Sequence, residues 1–170
     1  EVERMGGMVS HVDPNEKGVI SADAVGRALR PETVFVSVGW ANNEIGTILP
    51  VAEAARLVKE QSRSMGRTIV VHTDAVQGAG YLPLDVKALG VDMLSLSSHK
   101  FYGPKGVGVL YVKRSAPFAP QQMGGAQERN RRAGTENVPG IVGTGVALKL
   151  SAENREAHSQ HCLALRDKLI

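Results

Sequence analysis

The chain has 170 residues, 42% hydrophobic and 22% charged, enough for one sizeable core, and its 20 Lys and Arg against 17 Asp and Glu leave a net charge of +3. So small and dispersed an excess excludes a nucleic-acid reading, and no apolar run approaches a membrane span or a secretory signal. The one cysteine, Cys162, rules out an internal disulfide framework and suits a reducing compartment. The opening Glu1-Val2-Glu3-Arg4-Met5 reads as the tail of a helix already under way, and the chain therefore as a fragment.

Met8-Val9-Ser10-His11-Val12-Asp13 predicts a short strand, and Ser21 caps a helix running to Leu29. Val34-Phe35-Val36-Ser37-Val38, rich in β-branched residues and uncharged, predicts a strand buried on both faces and ending at Gly39. After Pro50, residues Val51, Ala54, Ala55, Val58, Ser62 and Met65 follow the i, i+3, i+4, i+7 spacing of a helix with one buried stripe. Thr68 to His72 predicts the next strand, and Met93-Leu94-Ser95-Leu96-Ser97 another after a connection through Leu84 to Gly90. Val107 to Val112 follows the Gly103-Pro104-Lys105-Gly106 turn, which is too short for a parallel crossover, so this last strand runs antiparallel to its neighbour. Beyond Pro139, residues Ile141, Val142, Gly145, Val146 and Lys149 mark one helix face, and the tail to Ile170 predicts a second, more charged helical stretch. Cys162 falls on the stripe His158, Cys162, Leu165, Leu169, where a small apolar role is the default.

This alternation predicts an α/β domain, a mostly parallel sheet with helices on both faces. Ligands of such sheets sit outside the carboxyl ends of the strands. Three of those ends carry polar clusters: Asn42-Asn43-Glu44 after the Val34–Val38 run, Thr73-Asp74-Ala75-Val76-Gln77 after Thr68–His72, and His99-Lys100 after Met93–Ser97. A lysine held at a strand's end by a rigid turn is placed to form a Schiff base, and pyridoxal phosphate is the cofactor that most often needs one. A pyridine ring used as an electron sink keeps its nitrogen protonated when a carboxylate is held against it, which points to Asp74. The ring's phenolic oxygen needs donors, which the amides of Gln77 and Asn43 carry, and a phosphate needs the hydroxyls and imidazole of Ser97, Ser98 and His99. Plainer readings stand beside these. Lys100 taken alone suits a solvated loop, Asp74 a turn or helix cap, Asn43 and Gly46 a simple turn, and Arg129-Asn130-Arg131-Arg132 a solvated loop. His72 reads as a satisfied strand-end histidine, His11, His158 and His161 as surface residues, and no His, Cys, Asp or Glu spacing matches a metal site.

Four segments together carry a resemblance: Ala41-Asn42-Asn43-Glu44-Ile45-Gly46, His72-Thr73-Asp74-Ala75-Val76-Gln77, Ser97-Ser98-His99-Lys100-Phe101-Tyr102-Gly103-Pro104-Lys105-Gly106 and Arg132-Ala133-Gly134-Thr135-Glu136-Asn137. In order and spacing they resemble the class V pyridoxal-phosphate-dependent aminotransferase family and, within it, the cysteine desulfurases. The resemblance implies the large domain of a fold-type I enzyme, with residues 1–150 as the central part of that cofactor-binding domain and 151–170 as a helix leading toward a small domain. It makes Lys100 the Schiff-base lysine and proton shuttle, pairs Asp74 with the pyridine nitrogen, sets Gln77 on the phenolic oxygen and Asn43 near that oxygen or the substrate carboxylate, and gives Ser97 and His99 the phosphate. Thr135 would reach across a homodimer interface to the partner's phosphate. The implied reaction converts L-cysteine to L-alanine and leaves sulfur on an enzyme cysteine, from which an acceptor protein takes it toward iron–sulfur clusters or thiolated cofactors, in the cytoplasm or, in a eukaryote, the mitochondrion. The nucleophilic cysteine and the arginine for the substrate carboxylate would lie outside the chain, and Cys162 is not that nucleophile. A selenocysteine lyase, or another class V lyase or aminotransferase, is the alternative enzyme; a truncated, non-catalytic homologue acting as a binding module is the alternative of another kind.

Overall fold

Capping and size select the helices. In the computed structural model, which describes residues 1–170, the Ser21 hydroxyl accepts from the Ala24 amide at 3.1 Å and starts α1 (Ala22–Ala28). Pro50 leads into α2 (Val51–Ser64), whose buried stripe is Val51, Ala54, Ala55, Val58 and Ser62, as the spacing predicts; Met65, expected to extend it, lies past the helix end and is 38% exposed. α1 packs on α2 at Gly26, where an added Cβ would strike the Leu57 side chain. The Asp85 carboxylate accepts from the amides of Lys87 and Ala88 at 2.8 and 3.1 Å and caps α3 (Val86–Leu89). Those two amides, Ala88 foremost, hold the Asp85 carboxyl below its ordinary value.

The main sheet has the order β1 (Phe35–Gly39), β2 (Val70–Asp74), β3 (Met93–Ser97), β4 (Gly108–Val112). β1, β2 and β3 are parallel and β4 is antiparallel to β3, as the short turn between them requires. The expected α/β class is the class observed. α2, with α1 behind it, covers the sheet face of Val38, Val71, Thr73, Leu94 and Leu96, which with Ile69, Val91 and Phe101 form the core. On the opposite face stand Phe35, Ser37, His72, Asp74 and Leu110, and Phe35 there is 50% exposed. A small hairpin, β5 (Ala126–Gln127) with β6 (Arg132–Ala133), precedes the long helix α4 (Val138–Arg166). No helix is long and apolar enough to cross a membrane.

Four expectations are corrected. Met8–Asp13 forms no strand, and Met8 is 69% exposed: a strand needs a neighbour for its backbone groups, and no element pairs with this segment. The Val34–Val38 run is an edge strand rather than one buried on both faces, because the composition of a central strand says nothing about whether both faces are covered. The second strand starts at Val70 rather than Thr68, since the backbone before it bonds to the end of α2: the Ser62 hydroxyl donates to the Arg67 carbonyl at 2.5 Å and accepts from the Ile69 amide at 3.1 Å.

The fourth correction concerns the carboxyl-terminal part. It is one helix rather than two stretches, and the face of Ile141, Val142 and Val146 lies open, with Val142 59% exposed. Gly140, Thr144 and Ser151 are the buried residues instead. α4 comes so close to the chain after β3 that a Cβ on Gly140 would stand 2.7 Å from Val107 and one on Gly143 2.8 Å from Pro104; side-chain size, not hydrophobicity, selects the packed face. Cys162, assigned a small apolar role by its stripe, is exposed for the same reason: the packed part of α4 ends before it.

At the sheet end opposite the carboxyl termini of β2 and β3, Asp92 is buried and ion-paired with Lys59 of α2 and, at 3.8 Å, with Lys113 beyond β4; its carboxylate also accepts from the Val71 amide at 2.9 Å. One carboxylate thus ties α2, β2, β3 and β4. Removing it leaves a buried amide and a part-buried ammonium without their acceptor, so Asp92→Ala is expected to lower stability by about 2–3 kcal/mol. A urea titration checks this through a lowered midpoint at unchanged slope, and an unchanged midpoint would contradict the role given to the pair.

Candidate active site

The parallel register brings three strand ends level. Gly39 of β1 lies opposite Asp74 of β2, and Asp74 opposite Ser95 of β3. The ladder continues past the strands, with the Trp40 amide donating to the Asp74 carbonyl at 2.8 Å and the Ala75 amide to the Ser95 carbonyl at 3.0 Å. The loops that carry Asn43, Asp74 with Gln77, and His99 with Lys100 therefore leave one edge of the sheet.

The loop after β1 is built by Asn42, whose side-chain oxygen accepts from the amides of Glu44 and Ile45 at 2.8 and 3.0 Å, while its own amide donates to Thr47. Asn43 is left exposed with its side-chain amide uncommitted. Trp40, buried, packs against Gly78, where an added Cβ would lie 3.1 Å from the indole; this contact clips the Asn43 loop to the Gln77 loop. The structural roles of Trp40, Asn42 and Gly78 escaped the sequence reading, although the tryptophan, alone of its kind in the chain, was a signal available to it.

One Asp74 oxygen accepts from the Val76 amide at 2.9 Å, so the residue is a turn carboxylate that keeps its second oxygen free. His72, two residues earlier on the same strand face, has Nδ1 2.8 Å from the Ser37 hydroxyl and its ring stacked on Phe35, centroids 5.9 Å apart. Burial pushes its imidazole below the ordinary value, and the Asp74 charge opposes this only in part. Gln77 carries a buried side-chain oxygen with no partner in the protein. Buried polar atoms are ordinarily satisfied, so this oxygen is open to a donor that the chain itself does not supply, and turning the amide presents donor instead of acceptor.

After β3 the chain makes one 3-10 turn, Ser98–Phe101. With three residues per turn, positions i and i+3 share a side: Ser98 and Phe101 are fully buried, and His99 and Lys100 between them are exposed. The Ser97 hydroxyl lies 2.9 Å from His99 Nδ1, which orients the ring and leaves Nε2 uncommitted. Tyr102, at φ 65°, ends the turn. Lys100 is thus a solvent-facing amine on a short turn anchored on both sides by side chains in the core.

Thr135 lies outside this group. It is exposed, beyond β6, on a segment whose turn holds Glu128, Arg129 and Asn130 at φ 48°, 58° and 65°, all left-handed. Arg131 of that segment lies over the Phe118 ring at 5.8 Å. The structure brings Asn43, Asp74, Gln77, Ser97, His99 and Lys100 to one edge and leaves Thr135 apart, between the β5–β6 hairpin and α4.

An exposed primary amine, a carboxylate with a free oxygen, an unpartnered buried amide and a hydroxyl–imidazole pair are complementary to an aromatic aldehyde that bears a ring nitrogen, a phenol and a phosphate. Their chemistry fits pyridoxal phosphate. Comparison with known proteins points the same way. The family model for class-V aminotransferases matches residues 1–169. A cysteine desulfurase IscS of Methanosarcina thermophila is 47% identical over 169 residues, and that of Dictyoglomus turgidum 43%. The match takes in 99% of this chain and 40 to 41% of those relatives, so the chain spans about two fifths of their length. Among solved structures, a NifS-like protein superposes with a TM-score of 0.93 at 40% identity, over 99% of this chain and 45% of that one. A structure described as SspA in complex with cysteine gives 0.81 at 41% identity, over 87% of this chain and 42% of that one. With a match along nearly its whole length, the chain belongs to the class-V aminotransferase family, and these two curated relatives of it are named cysteine desulfurases.

Proposed function

We propose that this chain is the central part of the cofactor-binding large domain of a pyridoxal-phosphate-dependent cysteine desulfurase, with residues 1–150 carrying the site and 151–170 leading toward a smaller domain. The observation that carries the reading is the convergence of Lys100, Asp74 and Gln77 on one sheet edge through the register of β1, β2 and β3. The names of the curated relatives and the cysteine-bound SspA structure support the substrate class.

When bound, pyridoxal phosphate supplies an aldehyde that links to an amine and a ring that accepts the electron pair released at a substrate α-carbon. The chain's own residues divide the remaining work. Lys100 holds the aldehyde through its amine, and once freed by the incoming substrate amine it moves the proton at the α-carbon. The free oxygen of Asp74 keeps a proton on the ring nitrogen. The Gln77 amide donates to the phenolic oxygen, and Asn43 stands by that oxygen or by the substrate carboxylate. Ser97 and His99 bind the phosphate, the imidazole being held in orientation by the hydroxyl. Thr135 serves the phosphate of the partner in a homodimer.

A cysteine thiolate beyond these residues would attack the substrate sulfur, the bound cofactor would supply the electron sink that lets the carbon–sulfur bond break with its electron pair left on carbon, and alanine would leave after protonation of that carbon. The persulfide left on that cysteine goes to an acceptor protein. Cys162 has no part in this step.

In the full-length protein loaded with pyridoxal phosphate, Lys100→Ala is expected to abolish the visible absorption of the lysine-linked cofactor; an unchanged spectrum would contradict the assignment. Mixing Thr135→Ala with Lys100→Ala subunits is expected to restore one working site per heterodimer, because that site draws its lysine from one subunit and its threonine from the other. Desulfurase activity that stays at the level of the unmixed variants would show that Thr135 does not cross the interface.

A further inference from the structure

The part of α4 that meets the rest of the chain is unusually thin. Gly140, Gly143, Thr144 and Ala147 lie against Ser98, Gly103, Pro104 and Val107, the segment that carries Lys100 and turns back into β4. A Cβ on Gly103 would stand 3.2 Å from the Ala147 Cβ and would collide with the Ser98 hydroxyl. Ser98 is pinned by its backbone as well, its amide donating to the Val107 carbonyl and its carbonyl accepting from the Gly103 amide, both at 3.0 Å.

Inside this contact lies one polar pair. The hydroxyl oxygens of Ser98 and Thr144, both buried, are 2.9 Å apart, and Thr144 Oγ1 is 2.7 Å from the Gly140 carbonyl. Threonine has one hydroxyl proton and a carbonyl can only accept, so the Thr144 hydroxyl donates to Gly140 and the Ser98 hydroxyl donates to Thr144. Each hydroxyl proton then has an acceptor. The Gly140 amide, in turn, donates at 3.1 Å to the side-chain oxygen of Asn137, the N-cap of α4, two residues after Thr135.

We propose that the Ser98–Thr144 hydroxyl pair is the positioning device of Lys100, fixing the rotation of its 3-10 turn and coupling that turn through Gly140 and Asn137 to the segment of Thr135. The proposal rests on the reading of Lys100 as the cofactor lysine. A 3-10 turn of four residues has few internal bonds to hold it, and Ser98 and Phe101 are its two buried contacts. Phe101 fills space in the core, whereas a hydrogen bond also sets direction. The Ser98 hydroxyl, offered to a phosphate by its place in the sequence, is buried and spent on Thr144, which is buried too, so both act through the turn.

The test uses the full-length protein loaded with pyridoxal phosphate, reading the pH titration of the visible absorption together with steady-state kinetics on L-cysteine. Thr144→Val keeps the shape and removes the hydroxyl. It is expected to move the titration midpoint by about half a pH unit or more and to lower kcat roughly tenfold at a little-changed KM, with both restored in Thr144→Ser. Ser98→Ala deletes the same bond from the other side and is read in its place if Thr144→Val does not fold. The double variant is expected to show no more than the larger single effect, because one bond is lost in all three. A wild-type titration and kcat in folded Thr144→Val or Ser98→Ala would overturn the proposal, as would a failure of Thr144→Ser to restore them. Absence of any Lys100-dependent absorption in the wild type would instead overturn the functional reading on which the proposal rests.

Discussion

The parallel ladder of β1, β2 and β3 is the constraint on which the site depends. Side chains alternate along a strand with period two, so a slip of one residue in either pairing would turn Asp74 to the α2-covered face and a buried valine or threonine outward. The register Gly39–Asp74–Ser95 prevents this, and it is held by the hydrophobic demand of the other face, where Val38, Val71, Thr73, Leu94 and Leu96 must meet the small residues of α2. The alternation that buries the core thereby aims the polar set. The Trp40 and Ala75 amides carry the ladder one residue past the strands, so the three loops begin from a common, bonded frame.

Two further contacts make that frame stiff. At one end of the sheet the Asp92 carboxylate, with Lys59 and Lys113, joins the covering helix to three strands. At the other, α4 lies against the Lys100 turn at a distance only glycine, alanine and threonine allow. A catalytic amine must be both reachable and fixed, and the 3-10 turn meets the two demands by alternation: buried Ser98 and Phe101 hold it, and His99 and Lys100 are left exposed, as the proposed role of Lys100 requires.

What could be read in the sequence followed from local rules. The α2 stripe, the Ser21 cap and the Met93–Ser97 strand depend on neighbours within a turn or two, and the structure reproduces them. The residues of the polar edge were legible because an apolar run followed by Asp, Gln or Lys marks a strand's end whatever the strand pairs with. What failed depended on distant partners. Met8–Asp13 has strand-like composition and no neighbour. Side-chain polarity points to a hydrophobic face on α4, but the approach of Pro104 and Val107 selects its small residues, and Cys162 lies exposed beyond them. Asn42 and Trp40 were passed over beside the more chemical Asn43, since a residue that organises a loop is known only once the loop's bonds are seen.

Every role proposed for the polar edge turns on Lys100 as the point of covalent attachment for an aldehyde cofactor. Borohydride reduction of the pyridoxal-phosphate-loaded full-length protein, followed by digestion and peptide mass analysis, tests it most directly. The mass of a reduced phosphopyridoxyl group is expected on the peptide that contains Ser98 to Phe101, at Lys100. Stoichiometric labelling of Lys105, Lys113 or any other lysine, with Lys100 unmodified, would contradict it.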